Sequence, residues 1–439
     1  MSFITGLTRM WLTRTAKPFT FKNGYDQILP YAECENLGLY VHIPFCKSIC
    51  NFCPYCKVRY SAELCDRYID SLIQEIHIVG SQHAEHRKAT SLYFGGGTPA
   101  LAANRIKEIV NALSEHFIIT EGIGLELHPD NVNVETLQML KDAGVTKISI
   151  GIQSFCDKYQ KILGRKKIDT AEMMSALSAV SFETVSMDFI FALPGQTYDD
   201  LKSDIDTAFL LGANHVAIYP FIDFTFTESP VTAMPKKDKR ELLDAITQYC
   251  LGKGYSRNSI WTFSSGTDAN YSSMTRDNFL GFGCSATSLF KEQFKINTFD
   301  VDSYCERIRS GNLATSLTIR FTKRQRMVSH HALPVLVEQL QLESVRGQRL
   351  RRHLRQTARN GAQLPDAAAL VQELLHRFAG TGRRGPQPVA HEVERAAHRS
   401  RNQHLRPVGR RFGRRILGDS HDPKLGFQHQ INLLNKQDV

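Results

Sequence analysis

With 439 residues, 42% of them hydrophobic, the chain is long enough for two or three domains with substantial cores. No uninterrupted apolar run approaches the ~18–20 residues that span a bilayer, so no membrane-spanning helix is expected. The formal charge of +10 is concentrated at one end: residues 331–439 hold 19 basic and 9 acidic side chains, whereas residues 1–330 hold 35 of each.

Residues 1–37 form an arm without clear periodicity. Its start carries Arg9, Arg14, Lys17 and Lys22 but neither a sustained apolar segment nor a small-residue cleavage site, so a cytoplasmic protein is expected. The alternating run Leu37-Gly-Leu-Tyr-Val-His-Ile-Pro44 reads as a buried strand over 38–44. Directly after it come Cys46, Cys50 and Cys53 at C-x3-C-x2-C spacing. Thiolates crowded on one short loop suit an iron–sulfur cluster, and three of them leave one iron of a 4Fe–4S cluster open to another ligand. Zinc is the competing reading, although structural zinc sites close with four ligands. Cys53-Pro-Tyr-Cys56 makes one C-x2-C knuckle with no second knuckle downstream. The other seven cysteines lie at scattered spacings that suggest no disulfide framework.

Further along, a helix is predicted over 62–79, with Leu64, Tyr68, Leu72, Ile76 and Val79 at helical spacing. The strand Ser91–Phe94 ends in Gly95-Gly-Gly-Thr-Pro99. Then follow a helix near 103–116, a strand at 123–127, a helix near 133–142 and a strand at 147–152. Gln153 closes that strand, a helical stretch runs through Leu163, and a helix at 170–181 precedes the strand 185–190. A turn at Leu193-Pro-Gly-Gln-Thr197, a helix near 198–211 and a strand at 215–220 complete the repeat.

Strands alternating with helices give βαβ units and a parallel sheet. Nearly every strand ends in a chemically expressive group: the cysteines, the glycine run, Glu126, Gln153, Asp188 and Tyr219. That distribution suits a curved sheet whose strand ends share one mouth, rather than an open sheet with one switch point. The expected fold is therefore α/β, a partial (β/α)6 barrel of TIM type over 38–235. A smaller C-terminal domain over 236–330, with helices at 236–251 and 302–309, is expected to close the open side.

Residues 331–439 contain no Tyr, Trp or Cys, and have 17 Arg against 2 Lys. The abrupt change of residue usage near 328–332 reads as an out-of-frame translation of the original C-terminal domain. A disordered basic extension and a nucleic-acid-binding tail are the alternatives, the latter disfavoured by few stacking aromatics and no binding module.

The glycine run lets backbone groups approach a ligand. Glu126 and Asp188 offer carboxylates to an ammonium group or to ribose hydroxyls. Arg165, brought back by the helix after Gln153, would suit a carboxylate.

Taken together, the motifs resemble the radical S-adenosylmethionine superfamily. Leu39-Tyr-Val-His-Ile-Pro-Phe-Cys46, Gly95–Pro99, Ile152-Gln-Ser-Phe155, Leu163-Gly-Arg165 and Met187-Asp188 through Thr197 resemble its oxygen-independent coproporphyrinogen III oxidase-like family over about 38–325. The resemblance implies that Cys46, Cys50 and Cys53 hold a 4Fe–4S cluster whose open iron takes the amino and carboxylate groups of S-adenosylmethionine. Reductive cleavage would then yield a 5′-deoxyadenosyl radical that abstracts hydrogen from a tetrapyrrole-type substrate. It further implies that Tyr40, Gly96 and Glu126 hold this cofactor. Phe52, Gly97, Thr98, Gln153, Arg165, Asp188 and Phe221 match positions around a second S-adenosylmethionine. A flavodoxin-type reductase would be the electron donor, with no membrane or nucleic-acid partner. In one respect the chain departs: decarboxylating members carry a further cysteine where Tyr55 stands, and Cys56 follows one position later. A radical S-adenosylmethionine methyltransferase and a haem-binding chaperone of the same family are the alternative functions.

Overall fold

The computed structural model describes Lys22 and residues 26–50, 52–53, 55–222, 233–266, 278–322 and Arg326. Most of the arm, the Asn270-Tyr271 region and the Arg-rich segment 331–439 lie outside the described residues.

The first strand, β1 (Leu37–Ile43), is buried along its whole length, so the alternation in its sequence does not mark a solvent-facing side; both faces are covered, as in a central parallel strand. Beyond it, β2 (Phe45–Cys46) and β3 (Val58–Arg59) pair in parallel and clamp the base of the cysteine loop. Helix α1 (Ala62–Gly80) starts where the Ser61 hydroxyl accepts from the Leu64 amide. Next come β4 (Arg87–Ala89), β5 (Ser91–Gly96), α2 (Ala103–Ser114) and β6 (Phe117–Ile119), with β4 and β6 forming a small parallel pair of their own. Then β7 (Ile123–Leu127) leads to α3 (Val134–Asp142), capped by Asn133. Strand β8 (Lys147–Gln153), α4 (Asp157–Ile162) and α5 (Thr170–Ala179) follow. The repeat ends with β9 (Thr184–Phe191), α6 (Tyr198–Leu210) and β10 (His215–Pro220).

Strands β1, β5, β7, β8, β9 and β10 are hydrogen-bonded in that order, every pair parallel. Strand order follows chain order without reversal, so this part of the sheet has no switch point and its crossovers all turn the same way. The result is the expected α/β fold, built on a large parallel sheet. Alternation decides what each residue does. Val41, Phe94, Leu125 and Ile148 lie opposite one another and are fully buried in the main apolar core. The opposite parity puts Tyr40, Tyr93, Glu126, Ser149 and Asp188 on the other face.

The sheet continues past both ends of this repeat. After α7 (Lys236–Gly252), β11 (Ser256–Arg257) and β12 (Thr262–Ser264) add antiparallel to the β10 side. On the other side β13 (Asn278–Phe282) pairs in parallel with β1. Strands β14 (Thr287–Leu289) and β15 (Gln293–Asn297), then α8 (Val301–Arg309) and β16 (Thr315–Arg320), complete an antiparallel extension. The helices expected at 236–251 and 302–309 are present, while strands β13–β16 were not anticipated. Among the described residues, no helix is long and apolar enough to cross a membrane.

A buried polar network ties the extension to α1. The Glu75 carboxylate, fully buried, accepts from the Gly283 amide (2.7 Å), the Asn297 side chain (2.9 Å) and the Tyr304 hydroxyl (2.7 Å). Burial raises its pKa, and the nearby Lys295 ammonium opposes that rise. Lys295 is itself pushed down to about 8 by burial.

Candidate active site

The C-terminal ends of the six parallel strands open, with the cysteine loop, into one cavity of about 270 Å³. All thirteen residues singled out from the sequence line it. Cys46 stands at the end of β2, with Cys50, Phe52 and Cys53 on the loop that follows. Tyr40 comes from β1, Gly96, Gly97 and Thr98 from the end of β5, Glu126 from β7, and Gln153 from the last position of β8. Asp188 projects from β9, Phe221 follows β10, and Arg165 returns after α4.

The local chemistry explains these placements. The Gly97 amide donates to the Ile43 carbonyl (2.9 Å) and the Thr98 amide to that of Phe45 (2.8 Å), so the glycine loop lies flat on the base of the cysteine loop. A Cβ at Gly97 would stand 2.5 Å from the Phe45 carbonyl oxygen. Its missing side chain therefore makes room for protein backbone. The Tyr40 hydroxyl bonds to His42 Nδ1 (2.8 Å), and the Tyr93 hydroxyl donates to the Glu126 carboxylate (3.0 Å). Gln153 adopts φ +72° where the β8–β9 register shifts, an uncommon conformation for a side-chain-bearing residue. The Arg165 guanidinium donates to the Gly151 carbonyl, which brings it back over the strand end.

The residues present fit a cluster and its cofactor. Burial pushes the Cys46 thiol up to about 11, with the charge of Cys53 adding to the rise and the Thr98 hydroxyl opposing it. Cys53 is raised mainly by burial as well, with Cys50 contributing repulsion. Mutually repelling, half-buried thiols are a donor set that a metal centre stabilises in its ionised form. Arg165 Nε and Ser149 Oγ line the same cavity and are buried without a hydrogen-bond partner among the described residues. They are open positions for a polar ligand.

Several lining residues escaped the sequence reading. His128, two residues beyond Glu126 and so on the same side, is pushed down to about 4 by burial and then by the Arg165 charge. The period-two alternation from Glu126 is the signal that could have found it. Lys47 and Lys57 add positive charge at the cavity, and the Lys57 ammonium donates to the Cys53 carbonyl. Tyr55 lines the cavity, whereas the Cys56 thiol points away from it, to the Phe299 carbonyl (3.3 Å) and the Cys284 thiol. The one-residue displacement of that cysteine thus turns it from the cavity toward the sheet extension.

Residues 40–208 match the family model of the radical SAM superfamily. Over that stretch the chain is similar to a radical SAM domain. Its cofactors are a 4Fe–4S cluster and S-adenosylmethionine. The heme chaperone HemW of Lactococcus lactis is 32% identical over 236 residues, 51% of this chain and 61% of that protein. The oxygen-independent coproporphyrinogen III oxidase of Pseudomonas aeruginosa is 26% identical over 332 residues, 66% of this chain and 70% of that one. The chain therefore spans about two thirds of the length of these relatives. The solved structure of coproporphyrinogen III oxidase (HemN) from Escherichia coli superposes with a TM-score of 0.59 at 24% identity, covering 65% of this chain and 72% of that one. The two share the fold described above.

Proposed function

We propose that this chain is a radical S-adenosylmethionine oxidoreductase acting on a porphyrin-type substrate. The observation that carries the reading is the composition of the one cavity. Three thiols and a set of polar strand-end groups share it with an apolar wall of Phe52, Ile190, Phe221 and Ile222 and with the cations Lys47, Lys57 and Arg165. A flat apolar macrocycle with carboxylate arms matches such a surface, with bidentate pairing available at Arg165.

When bound, the cluster and S-adenosylmethionine supply one-electron cleavage chemistry that delivers a hydrogen-abstracting radical. Cys46, Cys50 and Cys53 would hold the cluster. Tyr40, Gly96 and Glu126 would orient the cofactor, Glu126 through its carboxylate. Phe52, Gly97, Thr98, Gln153, Arg165, Asp188 and Phe221 would frame the neighbouring space for a second molecule of the cofactor or for substrate. The surrounding apolar side chains would exclude water that would otherwise quench the radical. Residues 236–330 would cover the substrate, a flavodoxin-type reductase would supply the electron, and the setting would be cytoplasmic.

The test is anaerobic reconstitution followed by dithionite, S-adenosylmethionine and either coproporphyrinogen III or haem. The expected result is substrate-stimulated 5′-deoxyadenosine, absent in Cys50→Ala, together with a mass change in the tetrapyrrole. No 5′-deoxyadenosine above the Cys50→Ala control removes the proposal. The similarity to a heme chaperone favours a second reading, in which the chain binds and passes on haem. That reading predicts stoichiometric haem transfer without substrate-dependent cofactor cleavage.

A further inference from the structure

Away from the radical site, one group of His, Cys, Asp or Glu side chains among the described residues brings three ligand atoms within 4.8 Å of one another: His77, Glu115 and His116. They come from the C-terminal ends of two neighbouring helices. His77 lies in the last turn of α1, Glu115 is the C-cap of α2, and His116 follows it. His77 Nδ1 stands 3.1 Å from His116 Nε2 and 3.8 Å from a Glu115 carboxylate oxygen.

The arrangement is held from behind. The His116 amide donates to the Leu113 carbonyl (3.0 Å), and the His116 carbonyl accepts from the Arg87 amide (3.0 Å) in β4. A Cβ at Gly80 would stand 2.2 Å from the His116 ring, so the absence of a side chain there is what seats the imidazole against α1. Two helices end at this point, and the partial negative charge of their terminal carbonyls favours a cation. Burial lowers the His116 pKa, with the charge of His77 adding to the fall and Glu115 opposing it.

We propose that His77, Glu115 and His116 bind a divalent transition-metal ion of the zinc type. Two imidazoles and a carboxylate are an established zinc donor set that keeps one position open. Side-chain exposures of 43% for His77 and 64% for Glu115 give the ion direct access from solvent. None of the three lines the radical cavity, so the site is separate from the cluster. Binding at this point would fasten the end of α1 to the end of α2.

The test uses the full chain with its cluster reconstituted, titrated with zinc chloride. Metal content is read by plasma mass spectrometry and zinc ligation by X-ray absorption at the zinc edge. The expected result is one zinc per chain beyond the cluster iron, with a nitrogen/oxygen shell at about 2.0–2.1 Å. Affinity should fall at least ten-fold in His77→Gln and in His116→Gln, with iron content unchanged. No retained zinc, a sulfur shell at about 2.3 Å, or equal affinity in both variants would each overturn the proposal. His77 is half exposed, so His77→Gln serves as the decisive variant should His116→Gln fail to fold.

Discussion

His42 is 1% exposed and its ring is bonded on both sides, Nδ1 to the Tyr40 hydroxyl at 2.8 Å and Nε2 to the Cys56 carbonyl at 3.4 Å. Burial pushes it down to about 4, and the Cys56 carbonyl bond opposes that shift. A base whose folded pKa lies below its unfolded value near 6.5 binds fewer protons when folded. Its contribution is therefore complete above about pH 6.5 and is lost as pH falls through about 4. At about 1.4 kcal/mol per pKa unit, His42 alone removes roughly 3 kcal/mol across that window. Urea denaturation of the cluster-free chain should show the midpoint falling between pH 7 and 4.5, with a smaller fall in His42→Gln. Gly97 yields a second expectation at this scale. Gly97→Ala forces the glycine loop off the Phe45 carbonyl and should destabilise by about 1–3 kcal/mol. Iron retained after reconstitution should drop several-fold, and full iron loading of this variant would contradict the packing argument.

Among the elements, α6 shows how a motif with the look of a functional signature also does structural work. In the Leu193–Thr197 turn, the Thr197 hydroxyl accepts from the Asp200 amide (3.2 Å) and the Asp200 carboxylate accepts from the Thr197 amide (2.9 Å). This is a capping box, and Asp200 also takes the Tyr159 hydroxyl at 2.7 Å, linking α6 to α4. Thr197→Ala should cost about 1 kcal/mol in denaturant midpoint. Calorimetry should find S-adenosylmethionine affinity essentially unchanged, since Thr197 does not line the cavity. The repeat itself was legible residue by residue. Short runs of strand formers marked the strands, and stretches such as Leu64, Tyr68, Leu72, Ile76 and Val79 at helical spacing marked the helices between them. The short pair β4–β6 was not legible, because three-residue strands such as Arg-Lys-Ala carry no pattern of their own.

For the whole molecule, Glu75 and Lys295 hold the sheet extension on α1. Glu75→Ala leaves a buried Lys295 without its nearby counter-charge and strips acceptors from Gly283, Asn297 and Tyr304. It should cost about 3–5 kcal/mol. Adding Lys295→Met to Glu75→Ala should recover part of that loss, which a double-mutant cycle in urea would read. Additive losses would show that the two charges do not act as a pair.

What the sequence determined by itself is the part of this protein that local pattern encodes. Alternation, helical spacing and the chemistry at each strand end yielded the α/β repeat and, in one cavity, the cysteines, the glycine run, Glu126, Gln153, Arg165 and Asp188, while Tyr40, Phe52, Thr98 and Phe221 came only with the family resemblance. Strand ends in a parallel repeat converge by construction, so naming them needs no knowledge of distant contacts. The tertiary structure decided what depends on pairing across long stretches of chain. Strand β13 joins β1 by pairing Asn278 with Leu37, and nothing near either residue announces that partner. The same holds for His77 beside His116, and for Cys56, whose spacing invited a place at the cluster but whose thiol the sheet extension takes up. Such contacts depend on where packed elements bring side chains, which no local periodicity records.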